Sequence, residues 1–322
     1  MKSSSNLVKP SQTYKPFLYP WAVELAQKHE KIHWVEDEVS LEDDIAEWKR
    51  GKVTPCEKDF ITNVLRLFTQ SDVSVGGFYY NKFIPIFQNN EVRNMLGSFA
   101  SREAIHQRAY ALLNDSLGLP EGEYAAFLEY KEMRDKVEFM GEADTATQSG
   151  IGVGLAKSVF NEGVTLFASF AMLLNFQRRG LMRGMGKVVE WSVRDESLHV
   201  EGISKLFRAY CEEHPRIVSD DFKKSIYVMA RRVVELEDKF IDLAYKDCSI
   251  EGLSADEVKK YIRYIADRRL IQLGFKGNFK VKENPLPWLD AILNAPDHTN
   301  FFENRVTAYS VGGLTGNWEY DI

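Results

Sequence analysis

Residues 101–110, SREAIHQRAY, carry a carboxylate, an imidazole and a phenol at Glu103, His106 and Tyr110. Offsets of three and four residues place all three on one face of an α-helix, because a turn takes about 3.6 residues. Met95, Phe99 and Leu113 continue that face, so the reactive groups interrupt a stripe that otherwise belongs to a core. The spacing predicts a helix beginning near residues 89–91.

Three other segments repeat the pattern. Thr54-Pro55-Cys56-Glu57 is a capping box with proline at the first helical position, and the apolar face that follows runs Phe60, Val64, Phe68 and then Asp72. A helix expected over about residues 152–179 aligns Leu155, Val159, Glu162, Leu166, Phe170 and Leu173. Another, over about 185–211, aligns Val189, Ser192, Glu196, His199, Ile203 and Leu206. Two more are expected at about 220–246 and from the capping box at Ser254 and Glu257 to Leu273, closed by Gly274. No β-hairpin, tandem repeat or interdomain linker is apparent, and the region after Gly274 is rich in Asn, Pro, Gly and aromatics.

Each of the four middle helices thus places a carboxylate where its stripe calls for an apolar side chain: Asp72, Glu103, Glu162 and Glu196. Burying carboxylates is costly unless something compensates. Two of them carry a histidine three residues later, Glu103-x-x-His106 and Glu196-x-x-His199. A carboxylate from each of two helices and a Glu-x-x-His from each of the other two is how helical bundles hold two metal ions. Four ionised carboxylates balance two divalent cations, and oxygen and nitrogen donors without thiolate suit iron or manganese without excluding zinc. Glu30 and His33 share the spacing but lie on no apolar stripe and are read as incidental. Tyr110, one turn beyond His106, falls beside the expected cluster, with Asp72 or a metal-bound water as acceptor for its proton.

The length allows one large domain or two, of which one is favoured, and the composition is ordinary for a soluble enzyme. Of the 322 residues 44% are hydrophobic and 27% charged, and 41 basic against 47 acidic residues give a net charge of -6. That balance argues against direct binding of a nucleic-acid backbone. Cys56, Cys211 and Cys248 are widely spaced with no CxxC, so no disulfide framework is expected, and a reducing cytoplasm is the expected location. The longest apolar run, GVTLFASFAMLL at 163–174, falls short of the roughly 20 residues that cross a bilayer and is read as buried core, with no membrane span. The expected organisation is a flexible amino-terminal arm and lead-in at 1–33, a metal-bearing domain at 34–290 and a tail at 291–322.

With these motifs in place the chain resembles the small, radical-generating subunit of class I ribonucleotide reductase, over roughly residues 34–309. SREAIHQRAY is similar to that family's helix bearing Glu, His and the radical tyrosine. VFNEGVTLFASFAMLL is similar to the helix with the next glutamate, EWSVRDESLHVEG to the Arg-Asp-Glu-x-x-His helix, and Asp72 in FTQSDVSVGG to the aspartate ligand. The resemblance implies an all-α, ferritin-like bundle with additional helices and an irregular carboxy-terminal tail. It implies a homodimer holding two iron ions per chain, with Mn/Fe or Mn/Mn as alternatives. It also implies reaction with dioxygen to form a Tyr110 radical, and a large catalytic subunit as partner. A route for electron and proton is implied too: Tyr309 in the tail, Trp34 in KIHWVEDEVS, and Asp195 linking Trp34 to His106. Leu166 and Ser192 stand where family members often carry phenylalanine and an aliphatic residue, and Leu166 and Phe170 are expected to face Tyr110. The competing readings are a di-metal oxidase or monooxygenase, and an iron-storage bundle, which needs neither Trp34, Asp195 nor an aromatic tail.

Overall fold

A computed structural model of the chain describes residues 6–293. Among these residues the regular elements are helical, and the one β contact is an isolated bridge between Ile250 and Leu253. In chain order the helices are α1 (Pro20–Lys31), α2 (Glu42–Arg50), α3 (Pro55–Phe78), α4 (Ile84–Ile86), α5 (Asn90–Leu117), α6 (Glu123–Ala126), α7 (Lys131–Gly141), α8 (Gln148–Phe160), α9 (Phe167–Arg178), α10 (Arg183–Glu213), α11 (Asp220–Ala244), α12 (Ala255–Gln272) and α13 (Pro287–Leu293). The expected all-α bundle is therefore observed.

Local chemistry sets most of the helix starts. The Thr54 hydroxyl accepts from the Glu57 backbone N–H while the Glu57 carboxylate accepts from that of Thr54, and Ser254 with Glu257 repeats the device at α12. The Asn89 side chain caps α5, whose other end turns off at Gly118 with φ 75°, a left-handed conformation that glycine adopts without strain. Helix α10 lacks a cap of its own. Instead Asp44, fully buried on α2, accepts from the N–H groups of Gly184 and Met185, placing an anion at the positive end of the helix.

Helices α3, α5, α10 and the α8–α9 pair surround the centre, with α1 laid along α5, and α11 and α12 packed together on the far side against α8 and α9. At Gly202 a Cβ would come within 2.6 Å of the Phe99 ring, so the absence of a side chain there is what lets α10 close on α5.

Three expectations are corrected. The helix expected to be continuous over 152–179 is interrupted by a π-helical turn at Asn161–Thr165, which shifts the register of everything after Glu162 by one residue. A second π turn, Tyr79–Phe83, follows α3. The lead-in before residue 34 is not a loose arm in its described part. Leu7 is fully buried and its carbonyl accepts from the Asn89 N–H, while Ala22, Leu25, Ala26 and His29 of α1 are buried against the bundle. Finally, Cys56 and Cys248 form a disulfide, with Cα atoms 5.6 Å apart, and so remove the cysteine argument for a reducing compartment. Their separation of 192 residues hides the pairing from any local spacing rule. The run at 163–174 is buried as expected, and within the longer stretch Gln148–Arg178, which by length and composition could cross a membrane, the most apolar window is buried inside the bundle. Most of the tail, Tyr309 included, lies outside the described residues.

Candidate metal centre

Asp72 on α3, Glu103 and His106 on α5, Glu162 in the π turn, and Glu196 and His199 on α10 converge in the interior, each no more than 1% exposed. Two groups of donor atoms form, each lying within 4.8 Å of one another: Asp72, Glu103, His106 and Glu196, and Glu103, Glu162, Glu196 and His199. Glu103 and Glu196 belong to both, so these two carboxylates stand between the two positions and could bridge them. Glu30 and His33, by contrast, are exposed, in keeping with an incidental spacing.

The atoms facing this interior space are those left without hydrogen bonds. Both oxygens of Glu103 and of Glu196, Oδ2 of Asp72, and Nδ1 of His106 and of His199 are buried and unpaired. His199 Nδ1 is 3.0 Å from Glu103 Oε1, 3.2 Å from Glu162 Oε2 and 3.3 Å from Glu196 Oε2, without being directed at any of them. Buried polar groups are normally satisfied. Orphaned lone pairs converging on common points are what two divalent cations would complete, and the donor set fits iron or manganese.

The electrostatics tell the same story through protons. Burial pushes His106 and His199 down, but the surrounding carboxylates outweigh it and raise both well above the usual imidazole range. Asp72 is raised well above its ordinary value, first by burial, and Glu162 is raised to about 7 for the same reason. Glu103 is raised by burial but lowered more by His106 and His199. The carboxylates thus demand positive charge, which protons on the histidines supply and metal cations would supply in their place.

The surroundings fix each ligand. His106 turns Nε2 to Asp195 Oδ2 at 3.1 Å, and the same oxygen accepts from Trp34 Nε1 at 2.7 Å and Arg102 Nη1 at 2.9 Å. The Trp34 ring stacks near His106, centroids 5.9 Å apart at 29°. His106 and Arg102 hold the Asp195 carboxyl well below the usual range against the effect of burial. Tyr79 donates to Glu162 Oε2 at 2.5 Å and Ser158 to Oε1 at 2.7 Å.

Tyr110 is fully buried, and its hydroxyl donates to Ser192 Oγ at 3.1 Å, where Asp72 or a metal-bound water was the expected acceptor. The Ser192 hydroxyl in turn donates to the Val188 carbonyl at 3.0 Å. Burial, then the Asp72 charge, raises the phenol well above its usual value. The ring against Tyr110 is Phe68, at 4.4 Å between centroids, and Phe170 packs on the Phe68 ring in turn, at 5.1 Å. Leu166 is buried in the turn of chain that the π segment displaced.

Nine of the ten residues singled out from the sequence are therefore found in one cluster, the tenth being Tyr309. Four contributors were missed: His29, Arg102, Tyr79 and Ser158. His29 had a legible signal, since Ala22, Leu25, Ala26 and His29 form a helical stripe. Arg102 sits inside the quoted SREAIHQRAY but off its inward face, and nothing local marks Tyr79 or Ser158.

Comparison with known proteins agrees with this geometry. Residues 11–285 match the family model described as ribonucleotide reductase, small chain. The chain is 40% identical to "Probable ribonucleoside-diphosphate reductase small subunit 376L" of Invertebrate iridescent virus 6, covering 97% of this chain and 98% of that protein. It is 30% identical to the ribonucleoside-diphosphate reductase subunit beta of Chlamydia pneumoniae, over 92% and 90%. Among solved structures, the ribonucleotide reductase R2 subunit from Clostridium botulinum superposes with a TM-score of 0.80 at 19% identity, covering 88% of this chain and 91% of that one. Streptococcus sanguinis dimanganese(II)-NrdF gives 0.76 at 18%, over 88% and 99%. At such identities the last two speak to the fold alone, a ferritin-like helical bundle.

Proposed function

This chain belongs to the ribonucleotide reductase small-chain family, and on that premise we propose that it is the radical-generating subunit of a class I ribonucleoside-diphosphate reductase. In this reading Asp72, Glu103, His106, Glu162, Glu196 and His199 hold two metal ions, iron before manganese. When bound, the ions supply the redox chemistry by which dioxygen oxidises Tyr110. The resulting oxidising equivalent is lent to a large catalytic subunit that reduces ribonucleotides to deoxyribonucleotides.

The observation that carries the reading is Tyr110 itself: a phenol with no exposure, on the same helix as Glu103 and His106, sealed by Phe68 and hydrogen-bonded to a neutral acceptor. An iron store has no use for such a group. Tyr110 must lose a proton with its electron. The Ser192 hydroxyl orients the phenol, but its own hydrogen is committed to Val188, so it is not the final base. Asp72, the charged group that acts most on Tyr110, or a metal-bound water is the proposed acceptor of that proton. Asp195 and Arg102 hold His106 and Trp34 in register, and Trp34 begins the route outward.

The proposal extends to a homodimer that engages the large subunit through the tail at 291–322, with Tyr309 as the relay there. The proposed setting is the cytoplasm. Electron paramagnetic resonance after reconstitution with ferrous iron and oxygen tests the centre: a tyrosyl signal is expected in the native chain and none in Tyr110→Phe. A native chain that binds two metals, takes up oxygen and yields no radical would overturn the reading.

A further inference from the structure

The route outward from His106 stops inside the protein, because Trp34 is 1% exposed. No donor in solution or on a partner surface can touch its ring. The next aromatic in that direction is Trp191, on α10 one turn before Asp195, with its centroid 5.2 Å from that of Trp34 and the rings tilted by 57°. Trp191 is only partly buried, so it spans from the sealed ring to the surface. Electron tunnelling falls off steeply with distance, and two rings in contact exchange electrons faster than any donor working through an intervening layer of protein.

The polar atoms around Trp191 do not suit a packing role. Buried indoles usually find an acceptor for the N–H. Nε1 of Trp191 is buried and has none, while Nε1 of Trp34 is bound to the Asp195 carboxylate. Two cations face the Trp191 ring, Lys187 Nζ at 5.5 Å and Arg194 Cζ at 5.9 Å from its centroid. An electron hole on Trp191 therefore has no hydrogen-bonded acceptor for its proton and faces two cations whose charge Glu190 and Asp195 partly offset, whereas a hole on Trp34 is stabilised by an anion 2.7 Å away. The pair is graded: a hole is more stable on Trp34 than on Trp191, so an electron passing inward climbs a short step that reduction of Trp191 by the external donor pulls forward.

We propose that Trp191 is the outer electron relay of this protein, connecting the surface to Trp34. This rests on the proposed function, in which dioxygen is the ultimate oxidant and an external one-electron donor the reductant. In the step itself an oxidised Trp34 takes one electron from Trp191 and returns to its closed-shell state. Trp191 is left as a radical cation, which the external donor reduces. No bond is made or broken, and the Trp34 N–H proton stays in its hydrogen bond to Asp195.

The test uses the metal-free full-length chain, so that it stands apart from whether a tyrosyl radical forms. Radiolytically generated azide radical, a one-electron oxidant of exposed indoles, is converted to azide anion as it oxidises surface tryptophan. Oxidised indoles are then read as oxygen adducts by peptide mass spectrometry in aerated buffer. In the native chain Trp34 is expected to be modified despite its burial. In Trp191→Phe that modification is expected to be lost, with modification of Trp21 and Trp48 unchanged as a check that the fold is intact. Equal Trp34 modification in the two proteins, or none in the native chain, would overturn the proposal.

Discussion

The Nε2 atoms of His199 and His29 stand 3.1 Å apart, so one metal-facing histidine is backed by a neutral ring where the other, His106, is backed by the Asp195 carboxylate at the same distance. Burial pushes His29 far below the usual imidazole range, so it stays uncharged. With Nδ1 of His199 turned to the carboxylates, its Nε2–H donates to His29, whose Nδ1–H then donates to Ser98 Oγ at 2.8 Å. The chain fixes the tautomer of His199 without adding charge. Removing such a partner typically weakens metal binding by about 10–100-fold. His29→Ala is expected to do so by chelator competition, with His29→Gln, which retains an acceptor, losing less. Equal affinities in all three proteins would remove His29 from the site.

Metal loading should depend on pH in a direction set by the protons already in the cluster. Glu162 is raised to about 7, and Asp72, His106 and His199 are also raised, so the metal-free cluster binds protons that incoming cations must displace. Apparent affinity for ferrous or manganous ion is therefore expected to rise as pH climbs through about 7 and to fall below it, with proton release detectable in weakly buffered solution. Affinity independent of pH across that window would contradict the assignment.

Ser192 is the residue whose role the structure changed most. Ser192→Ala removes the one hydrogen-bond partner that the Tyr110 hydroxyl has among the described residues while leaving its ring contacts with Phe68 intact. The radical is expected to form still, with a higher g-value along the C–O axis in high-field resonance, since hydrogen bonding to a tyrosyl oxygen lowers it. An unchanged g-value would mean that Ser192 does not face the radical.

Between α7 and α11 lies a buried ion pair, Lys136 Nζ to Glu237 Oε1 at 2.8 Å, whose ammonium also donates to the Thr165 carbonyl in the π turn. Lys136→Met leaves a carboxyl buried without its partner, and breaking such a pair costs about 3–5 kcal/mol. Replacing both, as Lys136→Met with Glu237→Leu, is expected to restore most of that in denaturant unfolding. The sign with pH follows from Glu237, which burial already raises to about 7 in the pair. A carboxyl raised above its unfolded value favours the fold at acid pH and loses that contribution as pH rises through the folded value. Losing Lys136, which holds that value down, raises Glu237 further, so the single variant should lose stability relative to the native chain as pH rises above about 7; a difference that stays constant through that range would refute this.

Truncation before Tyr309 is expected to abolish turnover with the large subunit and leave the Tyr110 signal unaffected. Full turnover by the truncated chain would sink the tail assignment.

Helical periodicity and capping chemistry are local, reaching four residues along the chain, and they were enough to place α3, α5, α10, α11 and α12 and to pick out six inward ligands. Asp72, Glu103, His106, Glu162, Glu196 and His199 were legible because each breaks an apolar stripe. The tertiary structure decided what depends on how helices are rotated and set against one another. Glu103 and Glu196 are shared between the two positions; Tyr110 donates to Ser192, 82 residues away; His29 backs His199 across 170 residues. The π turn at Glu162 belongs to the same class: it aims that carboxylate at His199 by inserting a residue that a regular period cannot accommodate. The amino-acid order by itself thus determined which side chains face inward. Only the packing of α1, α5 and α10 settled which of them touch, because contact depends on crossing geometry that no spacing along one helix encodes.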